Sequence, residues 1–332
     1  MNLRQLVIKV LAWVRQLRDK AVAWVRHPDP LQLLVFTAAL SIPVIWLLIV
    51  ERIYAGSTLA FLTFGLGFIA GSDWRPNPVG VPSLGALPAI YGSVVTTIIA
   101  LVIAVPVSLG VGLFQSELAP RQLKTPSVFL VEMLAAVPSV VYGLWGIIVL
   151  VPFMGVNVDP GLKSTLGFLP LFGGPANGFG MLTAGVILAI MVIPYASSIM
   201  REVFAAVPRP QREAMIALGA TDWETVRKSV IPFARTGVVA AIMLAMGRAI
   251  GETMAVTMTI GNIPKISTSL FSPAYTIPST IANEFLGAST PLHVSSLFAL
   301  ALILFAITFF MNIVARLLIR QLSFKVRHGH VA

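Results

Sequence analysis

The chain has 332 residues, 57% hydrophobic and only 11% charged, with a mean hydropathy of +0.90, whereas soluble domains carry about 25% charged residues; a soluble globular fold is excluded and a membrane protein is indicated. The net charge of +10 comes without a basic groove of interleaved aromatics, so nucleic acid is not an expected partner; the basic residues flank apolar runs, where topology and anionic lipid headgroups account for them. With no cysteine, disulfides, thiol catalysis and thiolate metal sites are excluded.

Residues 1–27 place Leu3, Leu6, Val7, Val10, Val14, Leu17, Ala21 and Val25 at three-and-four spacing, with Arg4, Lys9, Arg15, Arg18, Lys20 and Arg26 between them. This is a basic amphipathic helix, expected over 1–30 on the cytoplasmic side, lying either on lipid or on a partner subunit. A long charged helix before the first apolar run is unlike the short basic start of a cleavable signal. Six apolar segments follow, at about 31–50, 91–114, 128–151, 181–200, 233–257 and 294–315, each near the roughly 20 residues a bilayer demands. Leu59–Ala70 is shorter and carries Gly65 and Gly67, so it reads as an outer-face or re-entrant segment. Pro43, Pro106, Pro138 and Pro194 are candidate breaks or kinks.

The proposed cytoplasmic regions, 1–30, 115–127, 201–230 and 316–332, hold 17 Lys and Arg, against 4 in the opposite loops. That asymmetry places both termini inside. The sequence therefore divides into the N-terminal helix, a six-span domain over 31–320 with a polar elbow at 205–230, and a tail at 321–332. No convincing internal repeat is present.

The elbow contains Pro210–Pro232, a long polar island between apolar runs. It reads as two short helices with a break between them. Pro210 suits a first helical turn, and Glu213 sits near that helix's positive start. Gly219 fits a left-handed cap, and Thr221 with Glu224 fits a capping box that opens the second helix; Pro232 then begins a new apolar segment. In the fifth span, Arg248 and Glu252 are four apart, which puts them on one face of a continuous helix. Each charge costs roughly 2.5–3.5 kcal/mol at mid-bilayer, so they pair with each other, meet a partner, or line a wet path. Glu132, Ser139, Tyr142 and Gly143 lie in V-E-M-L-A-A-V-P-S-V-V-Y-G-L-W-G; Glu132 is expected to be shallow and to snorkel.

E-A-x-x-x-x-G with Pro232 thirteen positions on resembles the coupling signature of ABC importer permeases, with Met215, Ser229 and Ile231 departing from it. Together with E-x-L-A-x-x-P-S-V-V-Y-G-L-W-G and R-A-x-G-E-T-M-A-V, it is similar to the phosphate-specific PstC-type permeases over about 55–315. The resemblance implies an all-α membrane protein of six transmembrane helices with the type I ABC importer permease (MetI-like) architecture. It implies a PstA-type second permease, two PstB-type ATPase subunits and an external PstS-type phosphate-binding protein in a bacterial inner membrane. ATPase coupling is then expected at Glu213, Ala214, Gly219 and Asp222, and a translocation path at Arg248, Glu252, Glu132 and Ser139. A permease for sulfate or molybdate, or a proton-driven transporter using Glu252, are the rival readings. No cofactor, metal site or catalytic residue is expected: no phosphate-cradling G-x-x-x-x-G-K-[ST] occurs, and of His27, His293, His328 and His330 only His328-Gly-His330 offers a weak metal pair, read instead as a solvated basic tail because no carboxylate or cysteine accompanies it.

Overall fold

The structure, a computed structural model, describes residues 30–76 and 82–328; the expected helix of residues 1–27, with His27, and the final His330 lie outside them. The chain divides into two compact units, Met1–Ala55 and Gly56–Ala332. Among the described residues, six helical runs are long and apolar enough to cross a membrane.

The first, α1, is Pro30–Phe64, with Pro43 inside it. It takes in half of the segment expected to be re-entrant. Gly65, not Leu59, ends it: with φ +57 it adopts the left-handed conformation that closes a helix, and its N–H donates to the Phe61 carbonyl at 2.8 Å. The short helix α2, Gly67–Ala70, buries Phe68, and the two-residue strands β1 (Trp74–Arg75) and β2 (Ser83–Leu84) pair antiparallel.

Next comes α3, Leu87–Leu113, extended by a wide π turn over Phe114–Leu118. Then α4 is Arg121–Ala136. The run α5, Ser139–Leu166, contains π turns at Gly146–Leu150 and Met154–Val158. Then α6 is Met181–Ala205 and α7 is Arg209–Ala217. The run α8, Asp222–Ile250, has a π turn at Val226–Val230. Finally α9 is Met254–Thr259, α10 is Ile277–Glu284 and α11 is Pro291–His328.

The π turns follow a rule. Each ends two residues before a proline: Pro120, Pro152, Pro160 and Pro232. A proline ring collides with the carbonyl four residues earlier and offers no N–H to it. Widening the preceding turn relieves the collision, so three of these prolines leave their helical run intact. The new segment expected at Pro232 is therefore a continuation of the helix that starts at Asp222.

Two expected spans are corrected. The segment 128–151 is not one helix: the chain is extended at Val137 and Pro138, between α4 and α5, because a residue before proline is pushed out of the helical region. The segment 233–257 is likewise split, since α8 stops at Ile250 and Gly251 caps it. Pro43, Pro106 and Pro194 remain within helices.

Helix α6 is the centre of the second unit, with most of its apolar stretch buried. It packs along α3 through Ala100 and Ala104 against Ala184, Leu188, Ala189 and Val192. Small residues permit this approach; a methyl at Gly185 would meet Ile99 at 2.5 Å. A second cluster at the elbow end joins Leu113, Met200, Phe204, Val226 and Val230. The opposite end is closed around Glu284: it accepts from Trp74 Nε1 at 2.9 Å and contacts His293 Nε2 at 2.9 Å. Burial first, and then the neighbouring Glu284 carboxylate, push the Tyr275 phenol above its ordinary value.

Candidate functional site

The elbow is built by local chemistry. Pro208 is extended and Pro210 occupies the first turn of α7. The helix ends in a Schellman arrangement: the Gly219 N–H donates to Ile216 at 2.9 Å and the Ala220 N–H to Met215 at 3.1 Å. Gly219 has φ +80. Thr221 and Glu224 form a reciprocal capping box, the Glu224 N–H donating to Thr221 Oγ1 at 3.3 Å and the Thr221 N–H to Glu224 Oε2 at 3.1 Å. Glu213, Ala214, Gly219 and Asp222 are all exposed. Glu213 is the fifth residue of α7 rather than one of its first turn, so the expected proximity to the positive helix start is lost. Beside these polar groups stand Ile216, Leu218 and Trp223, with Leu218 84% exposed. Exposed large apolar side chains grouped on one turn are a feature of surfaces that meet a protein or a membrane.

Arg212 anchors this elbow. Its Nε and Nη2 donate to Glu117 at 2.9 and 2.8 Å, a two-point bond to the π turn that ends α3. Nη2 also donates to the Phe204 carbonyl at 2.8 Å, and Nη1 donates to that of Val207. Sequence reasoning missed this pair, because its partners are 95 residues apart and neither belongs to a spacing pattern.

The second region lies where the two broken spans meet. The start of α5 packs on α9. Gly143 makes this possible, since a methyl there would meet Met258 Sδ at 2.6 Å and the Ala255 Cα at 3.1 Å. Ser139 opens α5, so its backbone N–H has no partner within the helix. The Tyr142 hydroxyl donates to the Leu134 carbonyl at 2.9 Å and so ties α5 back to α4 across the break.

Arg248 and Glu252 do not share a helix face: Arg248 is in the last turn of α8 and Glu252 lies past its cap. Glu252 turns instead to the start of α9, where Oε1 accepts from the Ala255 N–H at a loose 3.4 Å. The Arg248 guanidinium lies 5.1 Å from the centroid of the Tyr195 ring and within electrostatic reach of Tyr142. Among the described residues no hydrogen bond or ion pair engages it. Glu132, on α4, is half-exposed and pairs with Arg201 at 3.1 Å. The structure thus separates the four expected path residues: Arg248, Glu252 and Ser139 belong to the ends of α8 and α5 and the link to α9, whereas Glu132 belongs to a different ion pair. Tyr195 was not found from sequence, since a tyrosine within an apolar run carries no spacing signal.

Six membrane-length apolar helical runs among the described residues, an Arg248 guanidinium with no ion-pair partner among them, and a capped polar elbow between α6 and α8 are the features of a membrane-spanning transport subunit. Residues 104–324 match the family described as binding-protein-dependent transport system inner membrane component. The phosphate transport system permease protein PstC of Mesorhizobium japonicum is 47% identical over 293 residues, covering 86% of this chain and 89% of the relative. The protein of the same name from Pasteurella multocida is 47% identical over 274 residues, covering 81% and 84%. A solved chain of the inward-facing MetNI methionine ABC transporter superposes with a TM-score of 0.53 at 14% identity, over 70% of this chain and 94% of that one, which shows the shared MetI-like fold. The chain belongs to the PstC family of phosphate transport system permease proteins.

Proposed function

We propose that this chain is a membrane-spanning subunit of an ATP-driven importer of inorganic phosphate. It forms the translocation path with a PstA-type permease. A PstS-type protein outside the membrane delivers phosphate, and two PstB-type ATPase subunits dock on the elbow, with Glu213, Ala214, Gly219 and Asp222 in the contact. Residues 31–320 are the permease domain, with residues 1–30 and 321–332 as cytoplasmic flanks, and no catalytic residue or cofactor is needed within this chain. ATP-driven approach of the ATPases moves the elbow, and α8 carries the motion to Arg248.

The observation that supports the path assignment is the unpaired Arg248 guanidinium. A charge held within a membrane span without a counter-ion is stable only toward water or an anion. Its planar set of five N–H donors matches a phosphate oxyanion. Ser139, at the start of α5, and Glu252, which limits the net positive charge, complete the surroundings; Glu132 guards the elbow-side entrance.

Labelled phosphate uptake and subunit copurification, measured on the same preparations, test this reading. Arg248→Gln is expected to leave the complex assembled and to abolish uptake. Because Arg248 and Glu252 are not paired in the structure, adding Glu252→Gln restores nothing. Uptake near the parent rate in either variant refutes the path role. Uptake that persists without any ATPase would instead assign the chain to proton-driven transport.

A further inference from the structure

An arginine that must present its donors to a passing anion faces a conflict. Its side chain carries several rotatable bonds, and a carboxylate that fixed it would occupy those donors and cancel its charge. The environment of Arg248 meets this difficulty in another way. Among the described residues no acceptor holds it. It lies instead over the Tyr195 ring, with the guanidinium carbon 5.1 Å from the ring centroid. A ring face attracts a cation through its quadrupole without accepting a hydrogen bond, so the N–H groups, which radiate within the guanidinium plane, stay available to an anion.

Tyr195 is well placed to act as a fixed platform. It lies on α6, the most deeply packed helix, between the buried Pro194 and Ala196. Arg248 lies on the last turn of α8, where Gly247 and Gly251 flank it without side chains to restrain it. Its position is therefore set from the neighbouring helix rather than from its own.

We propose that Tyr195 is a positioning residue for phosphate passage, holding the Arg248 guanidinium toward the path through the face of its ring. This rests on the path role of Arg248. The ring does the holding, so the phenol hydroxyl is dispensable.

The test uses the complete transporter reconstituted into liposomes, with labelled inorganic phosphate uptake read per assembled complex, so that a variant of low yield is still scored. Tyr195→Phe and Tyr195→Trp keep a ring face and are expected to transport within about twofold of the parent, whereas Tyr195→Leu and Tyr195→Met lose about tenfold. Subunit stoichiometry and the thermal midpoint of the complex are expected to be the same across the aromatic and aliphatic variants. Equal impairment in Tyr195→Phe and Tyr195→Leu assigns the effect to the hydroxyl and overturns the proposal. Parent-level uptake in both aliphatic variants overturns it as well, provided that Arg248→Gln is inactive. If Arg248→Gln itself transports normally, the path role has failed, and with it the reason for the platform.

Discussion

Arg212 shows how much one side chain can decide. Its two-point bond with Glu117 is mostly shielded, with the side chains 20% and 11% exposed, and two main-chain carbonyls take further donors. Removing one partner of such a pair leaves a desolvated charge behind, at a cost on the order of 3 kcal/mol. Arg212→Ala is expected to lower the thermal midpoint of the purified protein and to weaken copurification of the ATPase. The double variant Arg212→Met, Glu117→Leu, which leaves no orphan charge, is expected to recover much of the midpoint. A midpoint unchanged by Arg212→Ala would mean that the elbow is held by its apolar contacts alone. None of this was legible in the sequence, where Arg212 is one basic residue among several on a polar island. Tyr195 and Arg248 differ in the same respect: the charge in an apolar run announces itself, while the ring that faces it does not.

At the scale of elements, legibility followed the range of the interaction. The Gly219 turn and the Thr221 capping box were readable because both are made within six residues, and their chemistry permits few alternatives. Space is open around Gly219, with nothing within 4 Å of an added methyl, so the whole effect of a substitution there comes from its positive φ. Gly219→Val is expected to strain the turn by about 1–2 kcal/mol, to insert normally and to lose both ATPase docking and uptake. Gly219→Asn, which tolerates the left-handed conformation, is expected to retain more of both. Full uptake by the valine variant would show that the elbow does not transmit the motion. The two interrupted spans were less legible. Hydropathy reports how long an apolar run is, not where its hydrogen-bond ladder stops. Pro138 breaks its run whereas Pro106 and Pro194 do not, and local sequence alone does not separate them. The break at Gly251 was hidden because only Glu252 and Thr253 separate it from the apolar start of α9. It is also the break that dissolved the expected Arg248–Glu252 helix face.

For the whole molecule, the apolar periodicity and the clustering of Lys and Arg carried the architecture. The six membrane-length helices among the described residues and their order followed from hydrophobic length, because a bilayer forces backbone groups to pair within each span, whereas the MetI-like fold followed only from the resemblance carried by the motifs. Orientation rests on the charge asymmetry and has its own test. A reporter fused after Ala332 is expected to be active only when it is of a kind that folds in the cytoplasm. Activity of an externally folding reporter at that site would invert the molecule and place the elbow outside, away from ATP.

The continuity of α8 has a mechanical consequence. Asp222, within the elbow, and Arg248 belong to one uninterrupted 29-residue helical run. At 1.5 Å per residue they stand about 39 Å apart along a single rod. Pro232 falls within that run, and the widened turn before it lets the helix continue past the proline. Under the proposed docking, a sideways push at one end is carried to the other along this single helical run. If the elbow takes the ATPase stroke as proposed, lever and load share one shaft, and the stroke and the excursion of the guanidinium are then set in ratio by where neighbouring helices place the fulcrum.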